Sequence, residues 1–341
     1  MSDPGKKYLI VGPSWVGDMV MAQCLFHALK QRNVDCQIDV LAPAWTAALI
    51  DRMPEVRRLV PADFQHGKLS IGERIKLGRE LRAEGYEQAI VLPNSLKSAL
   101  VPWLAGVSTR TGFVGEMRYG LLNDHRKLDK SRLPMTVQRF ISLGLDPSAA
   151  PVAINDITAP KLSSDRDQQW QLRKAHGLDD QRPLLALCPG AEFGSSKKWP
   201  AQHYAELVRY YSSEGWQVLL LGSANDIDDC AAINDACENL ALSLAGETEL
   251  TEAIDLIACC NLVISNDSGL MHIAAALQVP LVAIYGSTDP GHTPPLSHNH
   301  SIAKIEIDCS PCFERQCPLS HHRCMQDLLP AQVIELAGSL R

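Results

Sequence analysis

Three stretches of the chain place charged, small and hydroxyl residues where a buried strand gives way to a helix. The first is Pro13-Ser-Trp-Val-Gly-Asp18-Met19. It puts one carboxylate in the opening turn of a helix, where backbone N–H groups favour negative charge. Such a carboxylate either takes a proton from a substrate hydroxyl or only complements the helix dipole, and spacing alone leaves both open. The second is Cys188-Pro-Gly190-Ala-Glu-Phe-Gly-Ser-Ser-Lys197-Lys198-Trp-Pro200. A glycine turn and two lysines precede a helix opened by proline, which suits a first helical turn. These lysines either neutralise a diphosphate or are solvated loop residues.

The third stretch is the most informative: Ile264-Ser-Asn-Asp267-Ser268-Gly269-Leu270-Met-His272-Ile-Ala-Ala-Ala. A polar cluster follows an apolar strand and supplies a helix cap, from Asp267 or Ser268. Gly269 allows close backbone approach, and the alanines let the helix lie close to a sheet. A pyrophosphate site at a helix N-terminus needs these features, although a plain cap with a structural His272 would use the same residues. Gly-x-Gly-x-x-Gly and Gly-Lys-Ser/Thr are both absent from the first turn, so neither a dinucleotide fingerprint nor a P-loop is present.

A fourth cluster lies near the C-terminus, with Cys309, Cys312, Cys317 and Cys324 close to His321 and His322. The Cys-x₂-Cys start provides the ligands of a structural zinc site. The later spacings are not those of a zinc ribbon, and a loop of reduced thiols is the preferred reading. The remaining seven of the eleven cysteines are scattered through apolar runs and are expected in the core as free thiols.

These motifs need elements to position them. Apolar runs at 8–13, 36–42, 56–60, 88–93 and 110–114 alternate with helical patterns at 17–31, after Trp45, at 71–84 and at 96–104. The alternation restarts with strands at 183–190, 216–222, 261–265 and 280–286 and helices from Pro200, at 250–260, from Gly269 and at 330–340. Strand–helix alternation with buried strands means a parallel sheet flanked by helices. Residues 146–166, rich in Pro and Ser, read as a linker. The expected organisation is therefore two doubly wound α/β domains, at 1–155 and 167–341, facing a central cleft. Ligands in such sheets bind beyond the carboxyl ends of the strands.

Length and composition agree with this reading. The chain has 341 residues, 46% apolar and 21% charged, which suits two globular domains. No apolar run approaches the roughly 20 residues that cross a bilayer. The start of the chain lacks the pattern of a signal peptide, so a cytoplasmic location is expected. Residues 1–150 carry 20 Lys and Arg against 15 Asp and Glu, whereas residues 151–341 carry 12 against 24. The basic half suits an anionic acceptor or membrane surface. Its charges form no dense patch interleaved with aromatics, so nucleic acid is not an expected partner.

The blocks Gly12-Pro-Ser-Trp-Val-Gly-Asp-Met, Val91-Leu-Pro-Asn-Ser-Leu-Lys-Ser-Ala-Leu, Gly115-Glu-Met-Arg-Tyr-Gly-Leu-Leu-Asn-Asp, Pro189-Gly-Ala-Glu-Phe-Gly, Lys198-Trp-Pro and Asn266-Asp-Ser-Gly-Leu-Met-His resemble the bacterial lipopolysaccharide heptosyltransferases of glycosyltransferase family 9. The likeness runs from about residue 7 to 300. The blocks at Asn94 and Glu116 favour the branch that adds the second heptose over the one that acts on Kdo. The resemblance implies a GT-B fold and an ADP-L-glycero-D-manno-heptose donor. It further implies a lipid A–Kdo–heptose acceptor, transfer with inversion, and peripheral contact with the inner membrane. By this likeness Asp18 matches the catalytic base, and Lys197 a lysine on the donor phosphates. Asp267, Ser268, Gly269, Leu270 and His272 match the ADP-binding turn, with Gly190 in the facing glycine turn. Lys97 and Arg118 are expected to meet acceptor phosphates or carboxylates. Ala191 and Glu192 replace family threonines, which puts contacts in that loop in question. No metal or other cofactor is expected in the chemistry. Two other classes compete. A two-lobe binding protein would share the architecture. A nucleotide-sugar epimerase or dehydrogenase would need Gly-x-Gly-x-x-Gly and Tyr-x-x-x-Lys, and the chain has neither.

Overall fold

The computed structural model describes residues 5–64 and 68–340; the first four residues of the N-terminal stretch lie outside them. The chain divides into two compact units, one ending at Pro160 and the other beginning at Lys161. The first unit runs β1 (Lys7–Val11), α1 (Val16–Arg32), β2 (Gln37–Ala42), α2 (Ala47–Ile50), β3 (Arg58–Pro61), α3 (Ile71–Leu81), β4 (Gln88–Val91), α4 (Leu100–Leu104), β5 (Thr109–Phe113), β6 (Asp124–Arg126) and α5 (Thr136–Gly144). The second runs α6 (Arg166–Ala175), β7 (Leu184–Cys188), α7 (Ala201–Ser213), β8 (Gln217–Leu220), α8 (Ile227–Ala236), β9 (Leu242–Ser243), α9 (Leu250–Ala258), β10 (Leu262–Asn266), α10 (Gly269–Ala276), β11 (Leu281–Ile284), β12 (His300–Ala303), α11 (Arg323–Gln326) and α12 (Pro330–Gly338).

Each unit holds a six-stranded sheet, ordered β3-β2-β1-β4-β5-β6 in the first and β12-β11-β10-β7-β8-β9 in the second. Every pairing is parallel. The orders are the same once each unit is counted from its own first strand. Both therefore reverse direction at one place, between β1 and β4 and between β7 and β10. At such a switch point the connections leave to opposite faces and open a crevice at the carboxyl ends of the strands. The strands there are continuously apolar because helices cover both faces. In the second unit, Leu185, Leu187, Leu220, Ile264 and Ile284 pack with Tyr204, Val208, Cys230, Ile233 and Val333 from the covering helices. Each such aliphatic side chain contributes roughly 1.5–3 kcal/mol on burial.

Several elements were not legible in the pattern. The edge strands β6 and β12 are short and only partly buried, so neither shows an apolar run. Helix α5 buries Val137, Phe140, Ile141 and Leu143. Helix α6 begins where the linker reading ended, and the Asp165 carboxylate caps it by accepting from Asp167 N at 2.9 Å and Gln168 N at 3.1 Å. The 71–84 and 96–104 helices are each part 3-10, at Arg82–Glu84 and Leu96–Ala99.

The sheet of the first unit is closed on its amino side by charge. Asp39, fully buried on β2, accepts from Arg57 Nε (2.8 Å) and Nη2 (2.6 Å), Arg58 Nε (2.9 Å) and Tyr86 OH (2.5 Å). Burial pushes its carboxyl up, but the hydrogen bonds from Arg57, Tyr86 and Arg58 outweigh this and hold it below the ordinary range. Removing one partner of a buried ion pair strands the other charges. Asp39→Ala is therefore expected to destabilise the protein by about 3 kcal/mol, read as a lower urea midpoint with an unchanged slope.

Candidate functional site

The switch point of the second unit gathers the predicted donor residues. Strand β10 ends at Asn266, and Asp267 follows with its N–H on Ile284 O at 3.0 Å. The Asp267 carboxylate, on a residue only 5% exposed, accepts from Lys197 Nζ at 2.6 Å and from Thr288 Oγ1 at 2.6 Å. Lys197 also reaches Asp267 O at 3.3 Å and lies 5.0 Å from the centre of the Phe193 ring. One carboxylate thus joins the loop after β7, the turn after β10 and the loop after β11. Asn266 joins a further pair, donating to Pro189 O at 2.5 Å while accepting from Tyr204 OH at 2.9 Å.

Helix α10 starts here, and neither expected side chain caps it. The Asp267 Oδ2 is taken by Lys197 and Thr288, and the Ser268 hydroxyl lies 3.2 Å from Ser265 Oγ. The helix has no side-chain cap hydrogen bond. Its first amides, at Ser268, Gly269 and Leu270, are placed to meet an anion. Gly190 stands opposite for a steric reason, since a Cβ there would lie 2.5 Å from Asp226 Oδ1. Glu192 is held by Asn225 Nδ2 at 2.6 Å, and Ala191 is buried.

His272 lies in the first turn of α10 and is 5% exposed. Burial, aided by the Lys197 charge and opposed by Asp267, lowers its imidazole to about 4. The ring is therefore neutral at physiological pH.

The switch point of the first unit places Asp18, partly buried, in the opening turn of α1, with the half-exposed Trp15 at the cap position. Beyond the ends of β4 and β5 the organising residue is Arg118. Its guanidinium is 1% exposed and donates to Pro93 O (2.6 Å), Ser95 O (3.3 Å), Ser98 Oγ (3.0 Å), Asn94 Oδ1 (3.2 Å) and Phe113 O (2.8 Å). In this structure the guanidinium is enclosed, and its donors tie the two loops together. Lys97 sits on the 3-10 turn after β4, and its carbonyl accepts from Arg74 Nη1 at 2.9 Å. Glu116 and Met117 adopt consecutive left-handed conformations (φ 43° and 48°), a conformation that non-glycine residues adopt only when their surroundings hold it.

A family model described as glycosyltransferase family 9 (heptosyltransferase) matches residues 74–322. The chain belongs to glycosyltransferase family 9. The lipopolysaccharide heptosyltransferases 2 of Salmonella typhimurium and Escherichia coli are each 45% identical to it over 98% of both chains. The solved ADP-heptose lipopolysaccharide heptosyltransferase II of E. coli superposes with a TM-score of 0.86 at 44% identity, covering 98% of each chain. The chain is accordingly a glycosyltransferase with the GT-B fold of family 9.

Within this family member, the structure brings Lys197, Asp267, Ser268, Gly269, Leu270, His272 and Gly190 to one switch point, and Asp18 and Lys97 to that of the other unit. Thr288, Asn266 and Phe193 were not singled out from the sequence. The strand order would have pointed to Thr288, because β11 neighbours β10 and Ser287-Thr288 follows its carboxyl end.

Two outcomes follow. Arg118→Lys is expected to destabilise the protein by roughly 3 kcal/mol, almost as much as Arg118→Ala. An ammonium cannot reproduce the fork, and buried carbonyls lose their partners. Chemical denaturation of the two variants checks this. For His272, whose folded pKa lies below the unfolded value near 6.5, the unfolded chain takes up the proton first. Stability is therefore lost as pH falls below about 6.5, by about 2 kcal/mol at pH 5. Thermal midpoints measured between pH 7 and pH 5 are expected to fall less steeply in His272→Gln.

Proposed function

We propose that the protein transfers L-glycero-D-manno-heptose, with inversion, from ADP-heptose onto the first heptose of the lipid A–Kdo inner core. The second unit is the donor domain and the first the acceptor domain. The observation that carries this reading is the Lys197–Asp267–Thr288 assembly beside the uncapped start of α10. It offers a positioned cation and backbone donors to a diphosphate without covalent chemistry. The likeness to heptosyltransferases 2 supplies the sugar and the acceptor.

Asp18 accepts the proton of the acceptor hydroxyl as that oxygen attacks the anomeric carbon. The bond to the diphosphate breaks on the opposite face, and ADP carries away the electron pair. Lys197 and the amides at Ser268 and Gly269 stabilise the charge that develops on the leaving oxygen. A carboxylate at a helix start is a weak base, so positioning of the two substrates carries a large share of the rate. The leaving charge is met by protein groups, and Mg²⁺ added to the enzyme in metal-free buffer is not needed for turnover.

Among the described residues no helix is long and apolar enough to cross a membrane. The protein in this reading works in the cytoplasm and reaches its lipid-linked acceptor by peripheral contact through the more basic first unit.

The test is ADP release from ADP-heptose with mono-heptosylated lipid A–Kdo core. The wild type is expected to release ADP only when the acceptor is present. Asp18→Ala is expected to be slower by about 10²–10⁴-fold with ADP affinity retained. Release on a core lacking heptose but not on the heptosylated one would make Kdo the acceptor. Silence on both would remove the substrate assignment.

A further inference from the structure

The segment between β12 and α12 takes no part in the chemistry above, yet it is laid against the loops that do. Its four cysteines are free. Among the described residues no group of three or more His, Cys, Asp or Glu could hold a metal ion, so the zinc ligand set that the cysteine spacing offered does not assemble. What ties the segment down is backbone. Phe313 N donates to Ser287 O at 2.7 Å, and Ser196 N donates to Arg315 O at 3.2 Å. Ser196 Oγ donates to Glu314 O. Gly194 passes so close that a Cβ there would lie 2.2 Å from Arg315 O. The main chain at Arg315 is thus fixed against residues 194–196, directly before Lys197.

The charges of these loops do not suit a diphosphate on their own. Lys197 Nζ lies 2.6 Å from Asp267 Oδ2, and Lys198 Nζ pairs with Asp229 Oδ2. Each lysine after β7 is therefore matched by a carboxylate, and the two pairs carry no net charge. Asp289 follows Thr288, and Glu314 precedes Arg315, so two further acids lie in the same loops. The amides at the start of α10 hold only partial positive charge. A diphosphate brings several full negative charges to this place, and the paired lysines leave it without a net cation.

Arg315 can supply that cation. Its guanidinium is exposed and stands over the Phe193 ring, 5.6 Å from the ring centre. Lys197 Nζ stands over the same ring at 5.0 Å, so one aromatic side chain holds both cations near each other. A guanidinium within about 6 Å of a ring centre is attracted to the ring face, and its planar fork of N–H donors is then kept for an anion. Among the described residues Arg315 has no carboxylate partner and its side chain makes no hydrogen bond. Its charge is therefore uncommitted, unlike those of Lys197 and Lys198. We propose that Arg315 is a donor-binding residue whose guanidinium, propped on Phe193, takes the diphosphate of the nucleotide sugar beside Lys197. The proposal rests on the donor reading of the second unit given above. No bond is made or broken at Arg315. It binds the diphosphate and matches the charge that collects there as ADP leaves.

The experiment is calorimetric titration of the full chain with ADP and with adenosine, for the wild type, Arg315→Gln, Arg315→Lys and Arg323→Gln. Arg315→Gln is expected to bind ADP about tenfold more weakly and adenosine as the wild type does, with an unchanged thermal midpoint. Arg315→Lys keeps the charge but not the fork, and about a threefold loss is expected. Arg323 lies in the same segment but is engaged by Asp327 at 2.8 Å, and Arg323→Gln is expected to bind ADP as the wild type does. Because Arg315 is exposed, salt screens its contact. The affinity ratio of wild type to Arg315→Gln is therefore expected to shrink between about 0.05 M and 0.5 M NaCl. Equal ADP affinity of the wild type and Arg315→Gln overturns the proposal, and so does an equal loss in Arg323→Gln. A ratio that salt leaves unchanged makes the effect structural and overturns the contact. Unchanged ADP binding with a raised KM for the acceptor would place the cation on the other substrate and overturn the assignment. A wild type that binds no ADP at all removes instead the donor reading on which the proposal stands.

Discussion

The second unit depends on one buried carboxylate. Asp267 follows a central strand, and parallel order places β7 on one side of that strand and β11 on the other. Loops far apart in sequence therefore end beside it, and its Oδ2 accepts from a lysine of one and a threonine of the other. A buried ion pair of this kind adds little net stability, because desolvation offsets the attraction. Its value is positional. With Lys197 and Thr288 occupying the acid, the adjoining helix keeps its first amides without a side-chain cap, and these are the groups that the proposed function assigns to the leaving diphosphate.

The first unit treats the two edges of its sheet differently. The amino edge carries Asp39 with Arg57, Arg58, Tyr86 and Glu84 in one closed network. The carboxyl edge carries loops instead, and Arg118 supplies from inside the hydrogen bonds that strands supply elsewhere. The left-handed pair Glu116–Met117 sits next to that arginine, and Glu116 Oε2 accepts from Leu96 N at 2.7 Å. The carboxyl edge is thus shaped by side chains rather than by the ladder.

Much of this was legible in the chain. Buried parallel strands announce themselves as apolar runs, and β1, β4, β7, β10 and β11 are of that kind, while β2 carries the buried Asp39 within its run. The short edge strands β6 and β12 present no such run, because one flank is solvent. Asp267 and Lys197 were readable because each stands between a strand and a helix. Their contact was not, since it depends on which strands are neighbours. The enclosure of Arg118 was not legible for a related reason. A charged residue in a polar loop looks solvated until the carbonyls that enclose it are known. The cysteine spacing was equally ambiguous.

The repeated strand order bears on how the protein is made. Every ladder closes within its own unit, yet each sheet needs pairings between strands widely separated in the chain, the kind that form slowly. A ribosome adds roughly 5–20 residues per second. The first unit therefore has all of its partners by Pro160 and can complete its sheet while the second is still being synthesised. The slow parallel pairings of the two units are thereby separated in time, and exposed strands of one have less chance to pair with those of the other.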